Sequence, residues 1–129
     1  MALNILIVDD SSVMRSMIQK TLKIAQIPIG EIVQAADGKE GLEKLKNHWV
    51  DLVLVDINMP VMNGEEMIGH MKEDPEMRDI PIIVVSTEGS VTRIERLKSL
   101  GIHFIQKPFS PELLRDSVVL LTGIKINHE

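Results

Sequence analysis

The sequence contains no cysteine and no tyrosine, and its large aromatic residues are limited to two Phe and one Trp. Because cysteine is absent, disulfide bonds, reactive thiolates and zinc sites with thiolate ligands are all excluded. The few aromatic rings leave little surface against which a flavin or successive bases could stack. Disulfide-rich secreted domains and thiol enzymes are therefore excluded, and flavin carriers are disfavoured.

Long apolar runs and an excess of positive charge are also missing. No apolar run approaches the roughly 18 residues that a membrane-spanning helix needs. The 19 acidic residues outnumber the 14 basic ones and give a net charge of −5, the wrong sign for a general binder of nucleic acids or anionic membranes. We expect a cytoplasmic protein that binds neither nucleic acid nor membranes.

The length and the composition together indicate a single globular unit. The chain has 129 residues, of which 44% are hydrophobic and 26% charged, close to the average of globular proteins. No linker rich in Pro, Ser or Gly divides it. We expect residues 1–129 to form one domain, with no attached output domain.

Short apolar runs predict the strands. Continuous apolar runs of this length are typical of strands that are buried on both faces of a parallel sheet. Four such runs are present, at residues 4–8, 52–55, 81–85 and, more weakly, 103–106. A fifth candidate at 31–35 is more polar, which indicates an edge strand.

Segments with helical spacing follow each of these strands. The first helix has an apolar face of Met14, Met17, Ile18, Leu22 and Ala25. Residues that can cap a helix N-terminus precede the other four, at Asp37, Asn63, Ser90 and Ser110. We expect the apolar stripe of the second helix to extend to Trp49, and Val91 of the fourth helix to face inward. We also expect residues 124–129 to fray.

Polar side chains stand at the ends of four predicted strands: Asp9 with Asp10, Asp56, Ser86 and Lys107. Strands that alternate with helices form a parallel sheet, and ligands bind at the carboxyl ends of its strands. Taken singly, each acid is explained as a helix-capping residue. Taken together, three carboxylates repel one another unless a cation lies among them or one is protonated. Mg²⁺ is bound by oxygen ligands such as these carboxylates. The lysine would supply a positive charge to a phosphoryl group during transfer.

Four segments resemble the signature of the response-regulator receiver domain, especially that of stand-alone chemotaxis regulators of the CheY type: residues 5–10 (ILIVDD), 56–64 (DINMPVMNG), 84–88 (VVSTE) and 104–109 (FIQKPF). The resemblance implies an α/β fold of the flavodoxin-like, doubly wound kind. It also implies a five-stranded parallel sheet in the order 2-1-3-4-5, together with five helices.

The resemblance also implies a function for each strand end. Asp56 would accept a phosphoryl group from a histidine kinase. Asp9, Asp10 and Asp56, with the backbone carbonyl of Asn58, would hold Mg²⁺. Asn58 and Glu88 would flank the path of the water that removes the phosphoryl group.

The same resemblance implies a conformational switch. Ser86 would bind a phosphoryl oxygen, Lys107 would balance its charge, and the Lys107–Pro108 peptide bond would be cis. Phe104 would then turn inward and change the face made by helix four, strand five and helix five. The signal would pass by contact to a downstream protein, such as a flagellar motor switch, from a monomer or a weak dimer.

Two surfaces remain open to more than one interpretation. The last two helices carry outward basic residues and surplus apolar ones, which either form an output surface or simply pack together: Arg93, Arg96, Lys98, Arg115, Leu113, Val119 and Leu120. Met14 and Met17 either fill the core or line a surface for the kinase. The four histidines are expected to be solvated or packed, not to donate phosphoryl groups.

An enzyme is the alternative function. Magnesium-dependent phosphatases of the haloacid-dehalogenase type also use an Asp nucleophile after a parallel strand. They need a second Asp two residues later as general acid, and this chain has Asn58 there. We therefore expect a signalling protein whose only chemistry is its own phosphorylation and dephosphorylation.

Overall fold

The structure is a computed structural model, and it describes residues 2–87 and 89–126. Glu88, His128 and the end of the tail that was expected to fray lie outside this range. Strands and helices alternate along the chain: β1 (Leu3–Val8), α1 (Ser12–Ile24), β2 (Ile29–Ala35), α2 (Gly38–Asn47), β3 (Leu52–Val55), α3 (Gly64–Glu73), β4 (Ile82–Ser86), α4 (Val91–Ser99), β5 (His103–Gln106) and α5 (Pro111–Thr122).

The sheet is parallel throughout and has the order β2-β1-β3-β4-β5, which confirms the predicted fold class. The central strands β1, β3 and β4 are almost wholly buried, in agreement with their continuous apolar sequences. The more polar β2 lies at one edge, as predicted, and β5 lies at the other. None of the helices in the described ranges is long and apolar enough to cross a membrane.

Two apolar clusters cover the two faces of the sheet. On one face, Leu45 of α2, Met67 of α3 and Leu97 of α4 pack against the strands. On the other, Leu22 of α1 and Val118 of α5 do so. Because successive strand residues point to opposite faces, every central strand contributes to both clusters.

Capping side chains determine where the helices begin. Asp37, Ser90 and Ser110 each accept a hydrogen bond from the backbone N–H three residues later. Asn63 and Glu66 form a reciprocal capping box at the start of α3. These predicted starts are confirmed, and each cap satisfies a backbone donor that has no partner within its helix.

Two of the predicted apolar positions, Trp49 and Val91, are wrong. Helix α2 ends at Asn47, so Trp49 lies beyond it with 79% of its surface exposed and donates its indole N–H to Asp51. Val91 is also exposed, at 68%. Met17, for which both core and surface positions were considered, is 56% exposed and therefore lies at the surface. Periodicity places Val91 and Met17 near the apolar stripe of their helices, but the buried arc of each helix is narrower than the stripe.

Candidate functional site

The carboxyl ends of β1 and β3 bring three acidic residues together. Carboxylate oxygens of Asp9, Asp10 and Asp56 lie within 4.8 Å of one another. Asp9 is buried, Asp56 is half-buried and Asp10 is exposed. The two strands pair directly, with Val8 opposite Val55, so the residues that follow these strand ends are neighbours.

Lys107 supplies the positive charge of this cluster. Its Nζ lies 3.1 Å from Asp9 Oδ2 and 4.0 Å from Asp56 Oδ2. The lysine follows β5, and its backbone N–H donates to the carbonyl of Ser86 at 2.9 Å. The Lys107–Pro108 peptide bond is cis, as the resemblance implied. The lysine is thus shared between two acids and lies closer to Asp9.

Asp56 occupies an environment that disfavours its charged form. Burial raises the pKa of its carboxyl group above the ordinary 3.8, while Lys107 and a hydrogen bond from Ser86 oppose this shift. The nearby charge of Asp9 raises the pKa further, and the backbone N–H of Ile57, which donates to Asp56 Oδ1 at 2.8 Å, lowers it. A cation among these oxygens would offset both the burial of the Asp56 charge and its repulsion by Asp9.

The loop after Asp56 is tightly constrained. A Cβ atom on Gly64 would overlap the carbonyl oxygen of Asp56 and would lie 2.9 Å from the Cα of Ile57. Val61 has φ of 65°, and a hydrogen bond of 2.7 Å joins Met62 N–H to the Pro60 carbonyl around it. A positive φ is unusual for a β-branched residue and indicates backbone strain in this turn. Asn58, in the same loop, is exposed.

Phe104 and its neighbour connect β5 to both layers of helices. Phe104 is half-buried and packs against the apolar cluster on the α2, α3 and α4 side of the sheet. His103 points to the other side, where its Nε2 lies 3.0 Å from Ser117 Oγ of α5. Ser117 Oγ also donates to the Leu113 carbonyl at 2.9 Å, so this serine links His103 to the backbone of α5.

Two of the outward arginines of α4 pair with an acid on the neighbouring helix. Arg93 pairs with Glu65 at the start of α3, and Arg96 lies 3.2 Å from the same carboxylate. The two arginines therefore do not form a free basic surface, because a single acid on the neighbouring helix draws both of them. In contrast, Leu113, Val119 and Leu120 are exposed on α5.

Arg15, which was not among the predicted site residues, also contacts the acidic cluster. Its guanidinium donates to the backbone carbonyl of Asp9 at 2.6 Å and to the side chain of Gln34 at 3.0 Å. Helical spacing places Arg15 at the border of the apolar face of α1, three residues before Ile18, but it does not show that the side chain turns back towards the end of β1. That direction depends on β2, which brings Gln34 alongside.

Comparison with known proteins identifies the family. The family model of the response regulator receiver domain matches residues 5–119. The chain belongs to this family. It is 33% identical over 123 residues to chemotaxis protein CheY1 of Helicobacter pylori, covering 94% of this chain and 98% of that protein. It also matches 15% of the length of the sensor histidine kinase CheAY of the same species, at 35% identity.

The fold comparison agrees with this assignment. The receiver domain superposes on the structure of CheY4 from Vibrio cholerae with a TM-score of 0.81 and 33% identity, covering 94% of this chain and 99% of that one. The family and its chemotaxis relatives make this chain a two-component signalling protein and not an enzyme of the ordinary kind. The donor set of the acidic cluster, which consists of carboxylate oxygens without His or Cys, is one that fits Mg²⁺.

Proposed function

We propose that this receiver domain accepts a phosphoryl group on Asp56, with Mg²⁺ held by Asp9, Asp10, Asp56 and the backbone carbonyl of Asn58. The observation that carries the proposal is the convergence of three carboxylates and one ammonium group where β1, β3 and β5 end. Neither a structural core nor a solvated surface requires such a cluster, because its acids repel one another.

In this proposal the residues have separate roles. An Asp56 carboxylate oxygen attacks phosphorus, and the bond from phosphorus to the donor breaks, so the donor leaves with the electron pair. Mg²⁺ supplies charge neutralisation when it is bound. Lys107 moves little to reach the new phosphoryl group, because its Nζ is already 4.0 Å from Asp56 Oδ2. The hydroxyl of Ser86, which already hydrogen-bonds Asp56, donates to a phosphoryl oxygen.

Labelling with a small phosphodonor tests the acceptor. Acetyl phosphate and Mg²⁺ should add the mass of one phosphoryl group to the wild type, and Asp56→Asn should abolish this gain. Asp116→Asn is the matched control, since that acid lies on α5 and is 75% exposed. Labelling of Asp56→Asn at the wild-type rate would show that the acceptor is another residue.

The phosphodonor in the cell is proposed to be a histidine kinase. The similarity to part of the kinase CheAY supports a place in such a pathway. Helix α1, which begins two residues after Asp10, also carries exposed apolar residues, Val13 and Met17, which would give a docking kinase an apolar contact. Transfer from an autophosphorylated histidine kinase should slow severalfold in Met17→Asp while labelling by acetyl phosphate is unchanged. Equal loss in both reactions would place Met17 in the reaction centre instead.

The output is proposed to be contact between the α4, β5 and α5 face and a protein such as a flagellar motor switch, or a second copy of the chain. Exposed Leu120 and its neighbours on α5 support this surface. Beryllofluoride, which mimics the phosphoryl group, should increase either motor-protein binding or self-association in sedimentation experiments. Leu120→Glu should remove that increase. An unchanged response in this variant would place the output surface elsewhere.

A further inference from the structure

The side chain of Arg15 makes an unusual contact for a residue near the start of a surface helix. It turns back along α1 and donates a hydrogen bond of 2.6 Å to the main-chain carbonyl oxygen of Asp9. The N–H of Asp9 bonds to the Ala35 carbonyl at 3.1 Å, so the sheet holds one side of this residue and Arg15 holds the other.

The guanidinium is itself held in a fixed orientation. Its Nε donates to Gln34 Oε1 at 3.0 Å, and Gln34 Nε2 donates to Gln19 Oε1 at 3.0 Å. Gln34 belongs to β2 and Gln19 to α1, so two different elements align the arginine. A planar guanidinium that is bonded on two edges has little freedom to rotate.

The carbonyl that Arg15 holds lies in the backbone between two acids. It belongs to the peptide unit that joins Asp9 to Asp10, and because that unit is planar, fixing its oxygen also fixes the Asp10 nitrogen. The carboxylate of Asp9 is held separately, by the Ser11 N–H at 2.9 Å and by Lys107. Asp10 is the exposed member of the cluster, so the backbone is its main constraint.

We infer that Arg15, oriented by Gln34, is a positioning residue that aims the carboxylates of Asp9 and Asp10 at a shared divalent cation. The inference rests on the proposed Mg²⁺ site. Arg15 affects metal affinity by fixing the backbone geometry between Asp9 and Asp10. Arg15 itself has no oxygen ligand to offer in its side chain and does not touch the metal.

The charge of Arg15 makes the inference sharply testable. A positive charge beside a cation site weakens cation binding by direct repulsion. If charge were the main effect, removing it would tighten Mg²⁺ binding. If positioning is the main effect, removing the arginine weakens binding in spite of the lost repulsion. The two interpretations therefore predict changes of opposite sign.

The affinity for Mg²⁺ is measured from amide shifts in an NMR titration with MgCl₂. The same spectra show whether each variant is folded, so weaker binding is not confused with unfolding. Arg15→Lys keeps the charge but loses the two-edged geometry, and Arg15→Met loses both. Both should bind Mg²⁺ about tenfold more weakly than the wild type, the size typical of residues that orient metal ligands. Gln34→Met leaves the charge in place and should weaken binding in the same direction, by less than the two Arg15 variants do. Arg78→Lys, at an exposed position, is the matched control and should bind as the wild type does.

The outcomes separate this inference from the proposed function. Weaker binding in Arg15→Lys, Arg15→Met and Gln34→Met supports positioning. Unchanged binding in Arg15→Lys, or tighter binding in Arg15→Met, overturns the inference and leaves the Mg²⁺ site intact. A wild-type chain whose amides do not respond to Mg²⁺ overturns the metal site and the inference together.

Discussion

Val61 offers a stability test of the loop that follows Asp56. This β-branched residue has φ of 65°, a region that costs ordinary side chains about 1–2 kcal/mol. It is 77% exposed, so replacing it sacrifices little packing. Asn tolerates this backbone conformation better than other side chains do. We therefore expect Val61→Asn to stabilise the folded state by about 1 kcal/mol.

Thermal unfolding followed by circular dichroism measures this gain. For a chain of this length, about 1 kcal/mol corresponds to a rise in Tm of about 3–5 °C. Val61→Ile keeps the β-branch and should leave Tm unchanged, and Val91→Asn, at an exposed site at the start of α4, should not raise it. If Val61→Ile gains as much stability as Val61→Asn, or if neither gains, backbone strain at Val61 is not a cost to the fold.

Three further predictions concern the surroundings of Asp56. Gly64→Ala should lower the free energy of unfolding by about 1–3 kcal/mol, because the added Cβ atom clashes with the backbone. Gly69→Ala, where the same helix has open space, should raise it by about 0.5–1 kcal/mol. Urea unfolding measures both changes. Because the pKa of Asp56 is raised on folding, its ionisation costs stability as the pH rises through that pKa. Asp56→Asn should therefore be more stable than the wild type at neutral pH, with a difference that shrinks towards pH 3.8 and when Mg²⁺ is added. A double-mutant cycle of Glu65→Gln and Arg93→Gln should give a coupling energy of about 1 kcal/mol, and no coupling would mean that the pair does not link α3 to α4.

The order and type of the elements could be predicted because local signals agree with one another. Continuous apolar runs in β1, β3 and β4 are long enough for buried strands, and the caps at Asn63 and Ser110 mark helix starts independently of periodicity. The grouping of the acids also follows from the sequence, since a parallel sheet places its strand ends along one edge.

Other features depend on distances that no local pattern contains. Trp49 continues the spacing of α2, yet that helix ends at Asn47, and nothing in the apolar stripe specifies this end. Arg93 has the spacing of an outward residue, but Glu65, 28 positions earlier, pairs with it. The side chain of Arg15 likewise depends on Gln34 across the β1 and β2 pair. These contacts follow from how the layers pack against one another.

The location of the only tryptophan determines what fluorescence can report about this protein. Trp49 comes before β3, at the opposite end of that strand from Asp56, and its indole is already largely in water. Its emission should therefore stay nearly constant when the acidic cluster binds a ligand. Emission from Trp49 instead monitors the end of the molecule near Asp51, which accepts its indole N–H. An optical signal for events at Asp56 needs a fluorophore introduced near the carboxyl ends of the strands.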